Sequence, residues 1–247
     1  MKETIEAFNN SQDEIVVEGI PYADYSQTVQ AVQAAIAANE VPASVLMTWQ
    51  SCKTFGERGL LEPLSHYIDK SEDFNLDDFF PVFLEYGQLN DELYCLPTYG
   101  TTQILYYRKD AFENAGIDPD EALKTWEGLA EAARKLTRKE GDEVVFYGWE
   151  PMWGIDNMID AVRSKGVELI SEDGTKIMFT SPEWIETMEC FRKWIHEEKI
   201  MRIHYGGQGW EYWNATIDDV MQNRAAGYTG STGDMGDLDF DIIAAHI

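Results

Sequence analysis

Residues 91–118, DELYCLPTYGTTQILYYRKDAFENAGID, decide the reading of the fold. Asn90 and Asp91 make a turn, and residues 93–96 and 103–107 then carry the aromatic and aliphatic content of strands on either side of a bend at 97–102. A short helix starting at Lys109 runs into Gly116, which accepts the left-handed backbone of a helix end. A strand that leaves such a bend and feeds a helix is a natural place for the chain to cross between two lobes.

Upstream, residues 2–10 read as a helix and residues 14–20, EIVVEGI, as a strand. Residues 24–39 carry Val29, Val32 and Ile36 at helical spacing. Residues 43–48 are nearly all apolar on both faces, as expected of a strand covered by helices on both sides. Between 59 and 88 the pattern breaks into short pieces, with Asp77 placed to cap a helix holding Phe80, Phe83 and Leu84.

Downstream, Thr125 can cap a helix whose inner face is Leu129, Ala132, Ala133 and Leu136, and a strand at 144–149 follows. Asp173-Gly174 makes a hairpin turn between Val167 and Thr180. Ser181-Pro182-Glu183 supplies a cap, a first-turn proline and an acidic first turn. The helix that follows is expected to bury Trp184, Ile185, Met188, Phe191 and Ile195. The glycine-rich loop 204–213, HYGGQGWEYW, precedes a helical stretch at 217–221 and strand candidates at 225–229 and 240–244. The alternation makes the chain α/β.

In the 247 residues, 44% hydrophobic and 26% charged content is that of a folding chain with a sizeable core. Nineteen Lys and Arg against 45 Asp and Glu give a formal charge of −26, which excludes the basic footprint that nucleic acid requires and disfavours anionic membrane surfaces. A neutral or cationic ligand fits better. Cys52, Cys95 and Cys190 are far apart, form no CxxC motif or zinc knuckle, and read as idle or buried thiols. No run reaches the roughly 20 apolar residues of a membrane span, and the first residues lack the apolar core of a signal peptide, so any export signal is expected outside this sequence.

Catalytic signatures do not appear: there is no nucleophile elbow, P-loop, dinucleotide fingerprint or HExxH, and His66, His196, His204 and His246 show no ligand spacing. No metal or cofactor is expected, and a glycosidase pair cannot be located among the carboxylates. The informative clusters are aromatic: Trp49 at a strand end, Trp149 and Trp153 flanking Glu150, and Trp210, Tyr212 and Trp213 in the glycine-rich loop. Sugar rings present apolar C–H faces that stack on such rings, and their hydroxyls need carboxylates and amides around them. Trp184 and Trp194 read as packing residues, whereas Trp210, beside glycines that offer little cover, reads as a ligand contact.

Six stretches in order, 7–20, 33–49, 59–64, 91–118, 124–137 and 220–231, together resemble the extracellular solute-binding proteins of ABC transporters, the carbohydrate-binding family that includes maltose-binding protein. The resemblance implies two α/β lobes of the type II periplasmic binding fold, each with a mainly parallel sheet, and a ligand cleft between them. Lobe 1 would be 1–103, lobe 2 would be 104–238, and 239–247 would be a strand crossing back, with the first strand of lobe 1 and the C-terminal helices lying outside the chain.

It also implies site residues. Gln50 and Ser51 match positions after the second strand, Thr101 a contact beside the crossing, and Glu150, in Trp-Glu-Pro, a sugar-binding carboxylate with Trp149 and Trp153 beside it. Gly230 and Ser231 match a pocket-lining turn. Asn223 stands where the family usually has Gly, and Gly233 stands where maltose binders keep a stacking Trp, a place Trp210 or Trp213 would fill. The expected function is reversible capture of a sugar or oligosaccharide for delivery to ABC permease subunits, by a monomeric, non-enzymatic protein outside the cytoplasm, free or lipid-anchored. A cationic or peptidic solute is the alternative.

Overall fold

A computed structural model of the chain describes residues 2–71, 73–171, 173–205 and 210–246. It divides into two compact units, Met1–Gly100 and Thr101–Ile247.

In unit 1, α1 is Lys2–Ser11 and α2 is Tyr25–Ala38. Asp24 caps α2 by accepting from the Gln27 amide, and Asn39 ends it in the left-handed region at φ 60°. Helix α3, Trp49–Glu57, is capped by Thr48, and the short α4, Ser65–Ile68, precedes a 3₁₀ turn at Leu76–Asp78 and α5, Pro81–Glu85. Strands β1, Gln88–Leu89, and β2, Glu92–Leu93, form a two-residue hairpin on Asn90 and Asp91, both at positive φ.

Three expectations for this unit are corrected. Residues 14–20 and 43–48 form no strand: Val17 exchanges hydrogen bonds with the Asn9 side chain at 2.8 and 2.9 Å, and Val16 is 85% exposed. Among the described residues of unit 1 only β1 and β2 pair, so an apolar segment has no ladder to join. Asp77 does not cap a helix over Phe80; Asn75 caps the 3₁₀ turn, and α5 starts separately at Pro81. Cys52 and Cys95 are not idle thiols but a disulfide, joining α3 to the segment after β2.

Unit 2 begins with β3, Gln103–Arg108, whose Ile104, Tyr106 and Arg108 alternate inward. Helix α6, Lys109–Ala115, ends at Gly116 with φ 64°, and α7, Pro119–Ala122, leads to α8, Trp126–Leu136. Thr125 caps α8 as expected, and Leu129, Ala132, Ala133 and Leu136 are buried. The hairpin β4, Arg138–Glu140, and β5, Glu143–Phe146, is followed by β6, Glu150–Pro151, and α9, Ile155–Arg163. Helix α10, Pro182–Arg192, continues into a π turn at Lys193–Glu197. Helix α11 is Glu211–Met221, β7 is Gly227–Ser231, and β8 is Ile243–His246.

The main sheet has the order β6-β7-β3-β8. It is mixed, not mainly parallel: β3 pairs antiparallel with both β7 and β8, and among its paired strands only β6 runs parallel to its neighbour. The expected hydrophobic face of α10 is also rotated. Trp184, Thr187 and Phe191 are buried, but Ile185 and Met188 are exposed, because a helix packed on α9 buries the 184, 187, 191 stripe alone. One core layer joins Phe112, Leu129, Phe146, Trp149, Phe191 and Trp194; the other joins Tyr106, Met152, Val220, Tyr228 and Ile243.

Candidate functional site

Of the aromatic residues singled out in the sequence, Trp153, Trp210, Tyr212 and Trp213 gather at one end of the unit 2 sheet, while Trp49 lies in unit 1. β6 runs beside β7 with Glu150 opposite Tyr228 and Pro151 opposite Thr229, and the chain then turns through Trp153 into α9. The fully buried Asn157 fixes this turn. Its side-chain carbonyl accepts from the Trp153 amide at 3.0 Å, and its amide donates to Gln103 Oε1 at 2.6 Å, while Gln103 in turn bonds Asp160. One amide side chain thus joins the start of β3 to the turn after β6.

Trp153 meets Tyr212 edge-on, with ring centroids 6.4 Å apart. Tyr212 is 6.3 Å from Trp210, which stands 5.3 Å from Trp213, also edge-on. Trp210, read as a loop residue, is the N-cap of α11 and 38% exposed; residues 206–209 of that loop lie outside the described residues. The indole Nε1 groups of Trp153 and Trp213 are shielded and have no acceptor among the described residues. Burial, then the nearby charges of Asp156 and Asp234, push the Tyr212 hydroxyl above its usual pKa, so it stays a donor. This is a wall of ring faces and edges with hydrogen-bond donors set in it.

Beside the wall, Ser231 opens the turn after β7. Its hydroxyl accepts from the Gly233 amide at 3.0 Å, and the Asp234 carboxylate accepts from the Ser231 amide at 3.0 Å, a reciprocal cap. A side chain at Gly230 would collide with the Asp234 carboxylate and the Tyr228 ring. Thr101 is exposed, and a Cβ on Gly233 would lie 3.6 Å from its methyl group, so Thr101 stands against the same turn. Gln50 and Ser51 belong to unit 1. Gln50 is exposed in the first turn of α3, and Ser51 donates its amide to the Thr48 cap at 3.3 Å.

Trp149 and Glu150 do not reach solvent. Trp149 is 1% exposed and donates its indole N–H to Thr229 Oγ1 at 3.0 Å. Glu150 is fully buried, and its Oε1 accepts from Arg202 Nε at 2.9 Å and Nη2 at 2.6 Å. Arg202 also pairs with Asp219 of α11, which accepts from His204 Nε2 at 2.7 Å and pairs with Arg224. Burial pushes the Glu150 carboxyl up to about 8; the Arg202 charge opposes this and the Asp219 charge adds to it. Desolvation works on Asp219 in the same sense, but hydrogen bonds from Arg224 and His204 outweigh it and hold that carboxyl low.

Glu150, His204 and Asp219 are spaced closely enough to hold a metal ion. Arg202 already supplies the cation that bridges the two carboxyl groups, with the proton on Glu150 and the negative charge on Asp219, so the arrangement is complete without a further cation. Nothing local in the chain marks it, because Arg202 and Glu150 are 52 positions apart. A largely apolar cavity of about 530 Å³ lies between β3 and helices α8 and α10, lined by Trp126, Leu129, Thr187, Cys190, Phe191 and Trp194.

The chain is 29% identical over 154 residues to the sn-glycerol-3-phosphate-binding periplasmic protein UgpB of Yersinia enterocolitica, an alignment covering 61% of this chain and 35% of that protein. The chain thus spans about a third of the length of that relative. Its fold matches an ABC substrate-binding protein of Listeria monocytogenes in complex with cycloalternan, with a TM-score of 0.82, 19% identity, and coverage of 100% of this chain and 62% of the other. UgpB of Mycobacterium tuberculosis in complex with glycerophosphocholine matches with the same TM-score and coverages at 21% identity. These likenesses show the mixed α/β fold of two-lobed periplasmic binding proteins. The family model for bacterial extracellular solute-binding proteins matches residues 3–244, and the chain belongs to that family.

Proposed function

We propose that the chain captures a sugar or sugar-like polyol reversibly, as the substrate-binding component of an ABC importer, without making or breaking bonds. The observation that carries this reading is the wall of Trp153, Trp210, Tyr212 and Trp213 at one end of the unit 2 sheet. Stacking on ring faces rewards an apolar C–H surface, and the Tyr212 hydroxyl, kept protonated, supplies a donor for solute hydroxyl oxygens. Thr101, Gly230 and Ser231 offer hydroxyl and backbone groups beside it; Gln50 and Ser51 would be the contribution of unit 1. Trp149 and Glu150 support the wall from behind. Residues 1–103 and 104–238 would serve as the two lobes, and export of the protein out of the cytoplasm follows from the proposed role.

A second reading has a specific basis. Ring faces next to Asp156 and Asp234, in a chain of formal charge −26, also suit a quaternary ammonium headgroup such as that of glycerophosphocholine. Calorimetric titration of the chain with maltotriose, glycerophosphocholine and sn-glycerol 3-phosphate separates the readings. Heat with maltotriose that is lost in Trp153→Ala supports the sugar reading, and heat with glycerophosphocholine alone replaces it by the second. Silence with all three removes both.

A further inference from the structure

We propose that Arg202 is a positioning residue for the aromatic wall: by bridging Glu150 on β6 to Asp219 on α11, it sets the spacing between Trp153 and Tyr212. That the wall contacts solute rests on the function proposed above; the positioning itself does not.

Two rigid segments meet at this guanidinium. On one side, Glu150 precedes Trp153 by three residues, with the chain between them fixed by the β6–β7 pairing, by the Met152 amide donating to the Thr229 carbonyl at 3.3 Å, and by Asn157. On the other side, Tyr212, Thr216 and Asp219 lie at positions i, i+4 and i+7 of α11 and so share one face. The Thr216 hydroxyl donates to the Tyr212 carbonyl at 2.9 Å, and Thr216 and Asp219 are buried. Seven residues of helix carry a displacement at Asp219 roughly 10 Å along the axis to Tyr212.

Arg202 is itself held in place. Its amide donates to the Trp149 carbonyl at 3.1 Å, Met201 bridges to Trp149 in parallel register, and the guanidinium stacks over the Tyr147 ring at 4.3 Å. A side chain locked by backbone, ring and two carboxylates behaves as a spacer of fixed length. A buried ion pair contributes little net stability compared with apolar packing, so its value here is geometric.

The test uses the whole chain in four variants: Arg202→Lys, Glu150→Gln, the double variant Glu150→Gln/Arg202→Met, and Arg134→Met. The double variant removes the buried charge that would otherwise be stranded. Arg134→Met cuts an ion pair with Glu198, remote from the wall in sequence and on other elements. Near-ultraviolet circular dichroism reads the mutual geometry of the indole and phenol rings, far-ultraviolet spectra report folding, and titration with maltotriose reports binding.

The expected result is a double variant with the parental far-ultraviolet spectrum, at least a halved indole band, and maltotriose affinity at least tenfold below that of Glu150→Gln. Arg202→Lys should recover part of the band, and Arg134→Met should leave it unchanged. A double variant with the parental indole band overturns the positioning role, whatever it binds. An altered band in a chain whose parent gives no maltotriose signal upholds the positioning and sinks the sugar reading instead. If the double variant fails to fold, a parental band in folded Arg202→Lys, which keeps the charge but cannot span both carboxylates in the same fork, overturns the proposal.

Discussion

Opening the Cys52–Cys95 disulfide should loosen unit 1 far more than any single side-chain deletion there. In that unit the buried hydrophobic side chains among the described residues are Val32, Cys52, Phe55 and Leu93, a sparse core in which a covalent tie dominates. With the cysteines 43 positions apart, the entropy of closing the loop corresponds to about 4 kcal/mol at room temperature. At about 1.4 kcal/mol per decade, amide exchange limited by opening of this unit should speed up roughly a thousandfold. Hydrogen exchange read by mass spectrometry on peptides covering α3 and the β1–β2 hairpin measures it, in the oxidised chain, the reduced chain and Cys52→Ala/Cys95→Ala. Peptides from α8 serve as the internal control and should keep their protection. Acceleration below about threefold in α3 would mean instead that the 52–95 loop is held by contacts alone.

Four further outcomes are expected. Trp153→Ala should weaken solute binding by about 1–3 kcal/mol, the scale of a lost stacking face, while leaving the melting temperature within a few degrees; titration and a melt on the same sample check both. Gly227→Ala should lower stability by at least about 3 kcal/mol in a denaturant titration, because the added methyl would strike the Trp149 ring and stand 2.6 Å from the Tyr106 carbonyl. Thr125→Ala should cost about 1 kcal/mol through loss of the α8 cap, with Thr125→Ser recovering most of it. Folded Glu150 keeps a proton to about pH 8 that the unfolded chain releases near pH 4.5, so the unfolded state binds fewer protons in that window and stability falls as pH rises through it. Melting curves at intervals across this range should show that slope, and Glu150→Gln should flatten it.

What the sequence disclosed and what it hid divide along the range of the interactions. Thr125, Ser181 and Gly116 act within one helical turn of themselves, so their capping roles could be read directly from residue type and position. The same holds for the aromatic cluster: Trp153, Trp210, Tyr212 and Trp213 are conspicuous in composition, although their meeting across α9 and α11 is a tertiary fact. Residues 14–20 and 43–48 have strand composition without strand structure, since β character is realised only against a partner. Arg202, Asn157 and the cysteine pair were invisible because Arg202–Glu150, Asn157–Gln103 and Cys52–Cys95 join residues 52, 54 and 43 positions apart and carry no local signature.

Arg108, at the end of β3, holds the far end of α11. Its buried guanidinium donates to the Val220 carbonyl at 2.9 Å and to the Met221 carbonyl at 3.4 Å, and Asp110 braces it at 2.8 Å. A cation at the negative pole of a helix dipole is well placed. The helix is therefore moored at its tail while its head carries the rings, so exchanging head residues leaves the mooring undisturbed.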